Sequence, residues 1–435
     1  MRTGWPEPPG FARFGTTLLD SRLALWAGYV AVHLVLAFQG LRHGASPLSD
    51  VTQVYQPWAH DVVTGRGIVG IDRPFVYPVV ALAPILLPIV AGAHHYTLAW
   101  IVMAAAADAV AVAVLTSSGQ RRDMVAAWWW LLFLLLLGPV AIGRIDTVAA
   151  ALAVAAITVI ATRPATAHAV LTVAVWIKVW PVAVITAAVA VYPRKLRALA
   201  ATLTVSAVIV GVDAALGGLP HILAFVGDQG TRNLQYEAPV STFWMWAAMS
   251  KDSTTHVFLN TALRTMEVSG PGATTAGAIV TIAMPLSFVA IAILGLQAAR
   301  RHPAPQTFPV LAMALISTLL VFDKVGSPQY VTWLAAPVIA GLRQRSPGHR
   351  LTAATTLAIA AATIAIYPYF TAELRQDQPA IVAVLTVRNA LMLACLAIAL
   401  TNLIRQAFPR PAVRRQEEPG WATVRRDESP EEPAR

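Results

Sequence analysis

The stretch SDVTQVYQPWAHDVVTGRG, residues 49–67, gathers two carboxylates, a Tyr, a Trp and a His in a chain otherwise dominated by Ala, Val, Leu and Ile. A carboxylate placed within about 3 Å of a hydroxyl can take its proton, so Asp50 or Asp61 could act as a general base. The same residues also have a structural use. Asp50 stands directly before an apolar helical stripe and Gln53 follows three residues later, the pattern of a capping box. Asp61 and His60 would then lie on the solvated face. Val51, Val54, Tyr55, Trp58 and Val62 fall at i, i+3, i+4, i+7 and i+11, one side of a helix.

Charged residues elsewhere sit in apolar surroundings. Lys178 in WIKVWP and Arg388 in LTVRNALML lie inside long hydrophobic runs, where an ionisable group marks a functional site by default. A guanidinium fork or an ammonium suits a phosphate. The structural alternatives are snorkelling of Lys178 from a broken helix and pairing of Arg388 with an intramembrane carboxylate such as Asp108. Arg144 and Asp146, one residue apart after Gly143, could pair to close a turn or line a polar cavity. Arg232, Gln235 and Glu237 precede the aromatic run Phe243, Trp244, Trp246, and could form a lid over a substrate or belong to an interfacial belt. Asp213 and Asp323 at span ends read as solvated. His94 and His95, adjacent and without a third ligand, make no recognised metal site, and no P-loop, dinucleotide fingerprint or nucleophile elbow is present.

The elements that must position these groups follow from composition. Hydrophobic residues are 57% and charged residues 12% of 435, with mean hydropathy +0.62, whereas soluble domains carry roughly 25% charged residues. The chain is therefore expected to be an all-α polytopic membrane protein. About a dozen apolar spans of near-bilayer length can be read, within a range of about 10–13 helices. The first, at 23–41, lies too deep and runs too long for a cleaved signal. The stripe after Asp50 becomes, in this setting, an amphipathic helix lying on the membrane in the first external loop, with Tyr55 and Trp58 at headgroup level and a kink or restart at Pro57.

A net charge of +10 does not point to nucleic acid, because the basic residues cluster at span ends. Positive loops mark the cytoplasmic side, which places 194–197, 300–301, 343–350 and the tail inside, and 42–75, 216–272, 323–329 and 370–378 outside. Arg121 and Arg122 break this pattern if 77–93 and 167–192 each cross once. They fit it if 167–192 is two short helices broken near Lys178 and Pro181 and the region 77–116 crosses an odd number of times. Three segments result: a short cytoplasmic N-terminus at 1–22, a multi-pass domain at 23–404, and a cytoplasmic tail at 405–435 too rich in Pro, Arg and Glu to bury a core. Cys395, the one cysteine, permits no internal disulfide.

In order along the chain, SDVTQVYQPWAHDVVTGRG, FVYPVVALAPILLP, GRIDTVAAALAV, WIKVWPVAV, RNLQYEAPVSTFW, SPQYVTWLAAP and VRNALML resemble the polyprenyl-phosphate-sugar-dependent glycosyltransferases of actinobacteria, glycosyltransferase family 87. The resemblance runs from Ser49 to Leu393, and the order of the motifs carries it. It implies a GT-C fold and inverting transfer of a sugar, usually mannose, from a polyprenyl phosphate to a lipid-linked or cell-envelope glycan acceptor. The reaction would take place on the outer face of the plasma membrane with no metal or other cofactor. It implies that an acidic residue of the first external loop is the base, here Asp50 with Asp61 as second candidate. Tyr55, Arg144, Asp146, Lys178, Arg232, Gln235, Glu237, Gln329, Tyr330 and Arg388 are the expected substrate-binding positions. One departure bears on the sugar: family mannosyltransferases carry a His motif where this chain has SPQYVTW, and no His lies between His302 and His349. A transporter or flippase for a lipid-linked sugar is the competing class, although no repeated halves are visible.

Overall fold

The computed structural model describes residues 19–42, 47–250, 254–261 and 265–408; the expected disordered tail lies, apart from its first residues, outside the described residues. The helices that matter are α1 (Arg22–Arg42), α2 (Gln56–Val63), α3 (Tyr96–Leu115), α4 (Arg121–Leu137), α5 (Asp146–Val159), α6 (Pro164–Ile177), α7 (Val182–Val191) and α8 (Lys195–Ala215). After a long loop come α9 (Ala273–Ala299), α10 (Ala304–Phe322), α11 (Ala335–Gln344), α12 (His349–Ile364) and α13 (Pro379–Ala407). Among the described residues eight helices, α1, α3, α4, α8, α9, α10, α12 and α13 with their direct extensions, are long and apolar enough to cross a membrane. Helices are the form such runs must take, because hydrocarbon offers no partner for an open backbone N–H or C=O.

The centre of the bundle is α10, 78% buried over its most apolar window, whereas α8 and α9 are 11% and 17% buried and present their side chains outward. α10 packs against α7, α9, α11 and α13, while α5 packs against α3, α6 and α11.

Two departures from the expected spans reorganise one end of the bundle. Residues 77–93 do not form one crossing helix. Pro78, Pro84 and Pro88 divide them into short turns over Val79–Ala91, and Gln56 Nε2 donates to the Ala93 carbonyl at 2.9 Å. Both ends of this segment therefore stay beside the first loop. Residues 167–192 are two helices. Pro181 disfavours helical geometry in the residue before it, Trp180, and Lys178 is extended at φ −151°, ψ 132°.

With these changes Arg121 and Arg122 sit with the start of α1, since Arg121 Nε lies 3.4 Å from Asp20 and Trp128 Nε1 donates to the Leu19 carbonyl. Arg343 reaches Asp123 at 2.7 Å at the same end. Arg121, Arg122 and Arg343 thus share one end of the bundle. The first loop, the Gly143 turn, the Lys178 break and the 323–334 turn gather at the other.

The helix after Asp50 forms, but not on an open surface. Val51 and Tyr55 lie in a π-helical turn, Val51–Tyr55, that leads into α2, and both are fully enclosed with Ala59. The Tyr55 ring lies 4.9 Å from that of Trp100. The apolar stripe expected against headgroups is used against protein. One feature outside the all-α expectation is a small antiparallel hairpin, β1 (His256–Asn260) and β2 (Thr265–Ser269), which pairs His256 with Ser269 and Asn260 with Thr265.

Candidate functional site

Asp50 is not a cap. Its backbone is already helical at φ −65°, ψ −36°, and its carboxylate makes no capping hydrogen bond. It faces Arg144 instead, with Oδ2 3.2 Å from Nε. The turn that delivers Arg144 depends on Gly143, where a Cβ would lie 2.9 Å from the Pro47 carbonyl oxygen and 3.0 Å from Leu48 Cδ2. Only glycine lets the first loop come this close. Arg144 then donates to the Pro47 carbonyl at 2.8 Å, to the Gly143 carbonyl at 3.1 Å and to the Tyr367 hydroxyl at 2.9 Å. The guanidinium is buried, while the Asp50 side chain keeps 29% of its surface accessible. Tyr55 lies beneath this pair and its hydroxyl accepts the Ile145 N–H at 3.3 Å.

A second charged pair adjoins the first. Asp146 is the first residue of α5, where a carboxylate is favoured by the positive end of the helix dipole. Its Oδ1 accepts Trp333 Nε1–H at 2.7 Å, and its Oδ2 lies 3.6 Å from Lys178 Nζ. Arg144 and Asp146 therefore do not close a turn on each other; each holds a different partner.

The Lys178 ammonium lies 4.6 Å from the centre of the Tyr77 ring and 5.5 Å from that of Tyr330, contacts in the cation–π range. Tyr330 stacks on Trp333 at 4.3 Å, and Trp333 stacks on Trp180 at 6.0 Å. This aromatic wall holds the cation at the helix break, within electrostatic reach of Asp50.

Asp323, expected to be solvated, belongs to the same neighbourhood. Its Oδ1 accepts the Val325 N–H at 2.8 Å, and Lys178, Arg232 and Lys324 all act on it electrostatically. Burial nevertheless pushes its carboxyl up to about 6. The turn is placed by Gly326, where a Cβ would fall 2.2 Å from the Ala238 nitrogen.

The remaining expected residues divide clearly. Arg388 pairs with Glu237 and not with Asp108: its Nη1 donates to Glu237 Oε2 at 2.6 Å and its Nη2 to the Glu237 carbonyl at 2.5 Å. Both side chains are almost wholly enclosed, so the guanidinium is committed to holding the loop of Glu237. Asp108 is held by His33 at 3.3 Å.

The buried Gln235 holds its loop to the 323–329 turn through a 2.9 Å bond from its backbone N–H to the Lys324 carbonyl. Gln329 is buried in the turn that carries Tyr330, and Arg232 lines a cavity with Lys324. Asp61 is not brought to Asp50. It holds Arg66 at 2.9 Å and also Arg73, and these bonds, that to Arg73 first, keep its carboxyl below the ordinary range.

Tyr77, Trp333, Tyr367 and Asp323 were missed as site residues. Tyr77 and Trp333 stand inside the quoted motifs, yet an aromatic at a span end reads equally as a belt residue. Nothing local marks Tyr367, which meets Arg144 only in the folded chain. Comparison with protein-family models, with curated proteins and with solved structures gives no match.

Proposed function

We propose that this chain is a multi-pass membrane glycosyltransferase of GT-C type. It moves a sugar, mannose in the family it resembles, from a polyprenyl-phosphate donor to a lipid-linked or cell-envelope glycan acceptor. The observation that carries the reading is the use to which Asp50 is put: its carboxylate caps nothing, is oriented by a buried Arg144 and stays partly open beside a second, cationic group. With the basic end of the bundle in the cytoplasm, as positive loops favour, this group faces the extracytoplasmic side of the plasma membrane.

The chemistry is a single displacement with inversion. The acceptor hydroxyl oxygen forms a bond to the anomeric carbon as the bond from that carbon to the phosphate oxygen breaks. The hydroxyl proton passes to Asp50, and polyprenyl phosphate leaves with the bonding pair. In this reading Lys178 meets the leaving phosphate, and the Tyr77, Tyr330 and Trp333 rings around it serve as an apolar wall of the kind a sugar ring stacks against.

The test is direct incubation of the purified chain in nanodiscs with a polyprenyl phosphomannose and a cell-envelope glycolipid extract. Mass spectrometry should find acceptor lipid heavier by one hexose, together with released polyprenyl phosphate. Movement of the donor across vesicle membranes without any new glycolipid would replace this reading with a flippase.

A further inference from the structure

At the far end of α8 the polar and apolar groups are arranged the wrong way round for water. Asp213, in the last turn of the helix and expected to be solvated, is 2% exposed. Both of its carboxylate oxygens are closed off, without a hydrogen-bond partner among the described residues. His221 acts on it electrostatically and is itself half-buried. Leu216, Leu219, Leu223 and Val226, by contrast, are 54–63% exposed. Folding in water buries aliphatic side chains and leaves carboxylates out; here the segment does the reverse.

Gly218 makes this inversion possible. Its N–H donates to the Asp213 carbonyl at 2.8 Å, and a Cβ at this position would fall 2.4 Å from Asp213 Oδ1 and 2.7 Å from Ile71 Cδ1. A bare backbone is therefore needed for the chain to close over the carboxylate and meet the first loop at Ile71. The inner side of the segment is thus occupied by protein, and its outer side is a stripe of large aliphatic groups.

The four outward residues are spaced by three, four and three, one face of a helical path. They run through the turn Leu219–His221 into the short helix Ala224–Thr231. The stripe also extends backwards along α8 through Val212 and Val208, which are 56% and 60% exposed. From Ala214 to Gly227 the sequence AALGGLPHILAFVG holds no charged residue. An exposed apolar patch of this kind marks a membrane or protein contact. Continuity decides between them: α8 is long and apolar enough to span and only 11% buried, and the surface it turns to hydrocarbon does not stop where the helix stops.

We infer that residues 216–226 form a monotopic element seated in the lipid leaflet at the first-loop end of the bundle. Leu216, Leu219, Leu223 and Val226 enter the boundary between headgroups and acyl chains, and Gly218 and Asp213 face the protein. The element is part of what reads in the sequence as a solvated external loop. The inference does not rest on the transferase reading, since it requires only that α8 crosses the membrane.

The test places a nitroxide on single cysteines introduced into the full chain in nanodiscs. Depth is read from the ratio of collisions with oxygen and with a nickel chelate. Cys395 is buried, and the unaltered chain serves as the control that it takes no label. Labels at Leu223→Cys and Val226→Cys should lie about 5–10 Å below the headgroup boundary. They should be shallower than a label at Val208→Cys, while a label at Gln376→Cys, in the exposed turn before α13, should sit in water. If either variant folds poorly, Leu219→Cys reads the same stripe. Labels as open to the nickel chelate as that at position 376 would overturn the inference. So would labels shielded from both reagents and broadened by a second label, which would make this face a contact between copies of the chain.

Discussion

Arg144 and Arg388 each hold a carboxylate from a loop at the same end of the bundle, Asp50 and Glu237. Around Arg388 all three nitrogens are used: Nη1 and Nη2 bond Glu237, and Nε and Nη2 bond Asn389 Oδ1 at 3.2 and 3.0 Å. Asn389 in turn donates to Thr242 Oγ1 at 2.9 Å, so the loop is clasped to α13. Around Arg144 the terminal nitrogens are spent on Pro47, Gly143 and Tyr367. Nε meets Asp50 at 3.2 Å without an aligned hydrogen bond. The Glu237 carboxylate is closed, at 4% side-chain exposure, and that of Asp50 open, at 29%. An arginine–carboxylate pair therefore gives a structural clasp in one place and a group with spare capacity in the other.

The largest effect that would sharpen this contrast is on stability. Glu237→Gln leaves a buried guanidinium without its counter-charge, which costs about 3–5 kcal/mol. It should lower the thermal midpoint markedly, while turnover per folded molecule stays within about twofold. A well-folded variant that no longer uses donor would move Glu237 into the site.

Lys178→Gln comes next. A phosphate that loses a charge-assisted contact worth about 1.5–3 kcal/mol should show a KM for the donor raised about tenfold or more, with the acceptor KM little changed. Because Asp146 would be left without its cation, Lys178→Gln with Asp146→Asn is the control that keeps the pair neutral. Equal effects on both substrates would make Lys178 structural.

The smallest effect is on pH dependence. The Asp323 carboxyl titrates at about 6 in the folded chain against 3.8 ordinarily. The folded state therefore binds the extra proton between these values. Stability from this group is fully present below about 4 and is lost as pH rises through about 6. A thermal midpoint followed from about pH 4.5 to about pH 7.5 should decline less steeply for Asp323→Asn than for the unaltered chain; parallel profiles would contradict the burial assigned to this carboxyl.

How much of this was legible in the sequence depends on the range of the interaction. The spans follow from apolar runs. The prolines at 78, 84 and 88 and at 181 were visible signals for the broken segments, although hydropathy averaged over a window hides them. The glycines at 143 and 326 could be seen but not interpreted, since what they make room for, the Pro47 carbonyl and the Ala238 nitrogen, comes from distant segments. For the same reason the motif GRID left open whether Arg144 and Asp146 pair with each other or line a polar cavity, while the fold gives them Asp50 and Lys178. The Asp50 pattern matched a capping box, and it was Arg144, not the local sequence, that decided otherwise. The periodicity of Val51, Tyr55 and their neighbours was correct as a helix, yet periodicity cannot say whether an apolar face meets lipid or protein.

The central claim is that Asp50 is the base and that its pairing with Arg144 only orients it. Asp50→Asn tests this most directly, because the amide keeps the shape beside Arg144 but cannot take a proton, and Arg144 retains its bonds to Pro47, Gly143 and Tyr367. Transfer from a polyprenyl-phosphate sugar should fall about a hundredfold or more, while donor binding is unchanged and the thermal midpoint falls less than in Glu237→Gln, because the Asp50 side chain is 29% exposed. Turnover near that of the unaltered chain would contradict the account and pass the question to Asp61.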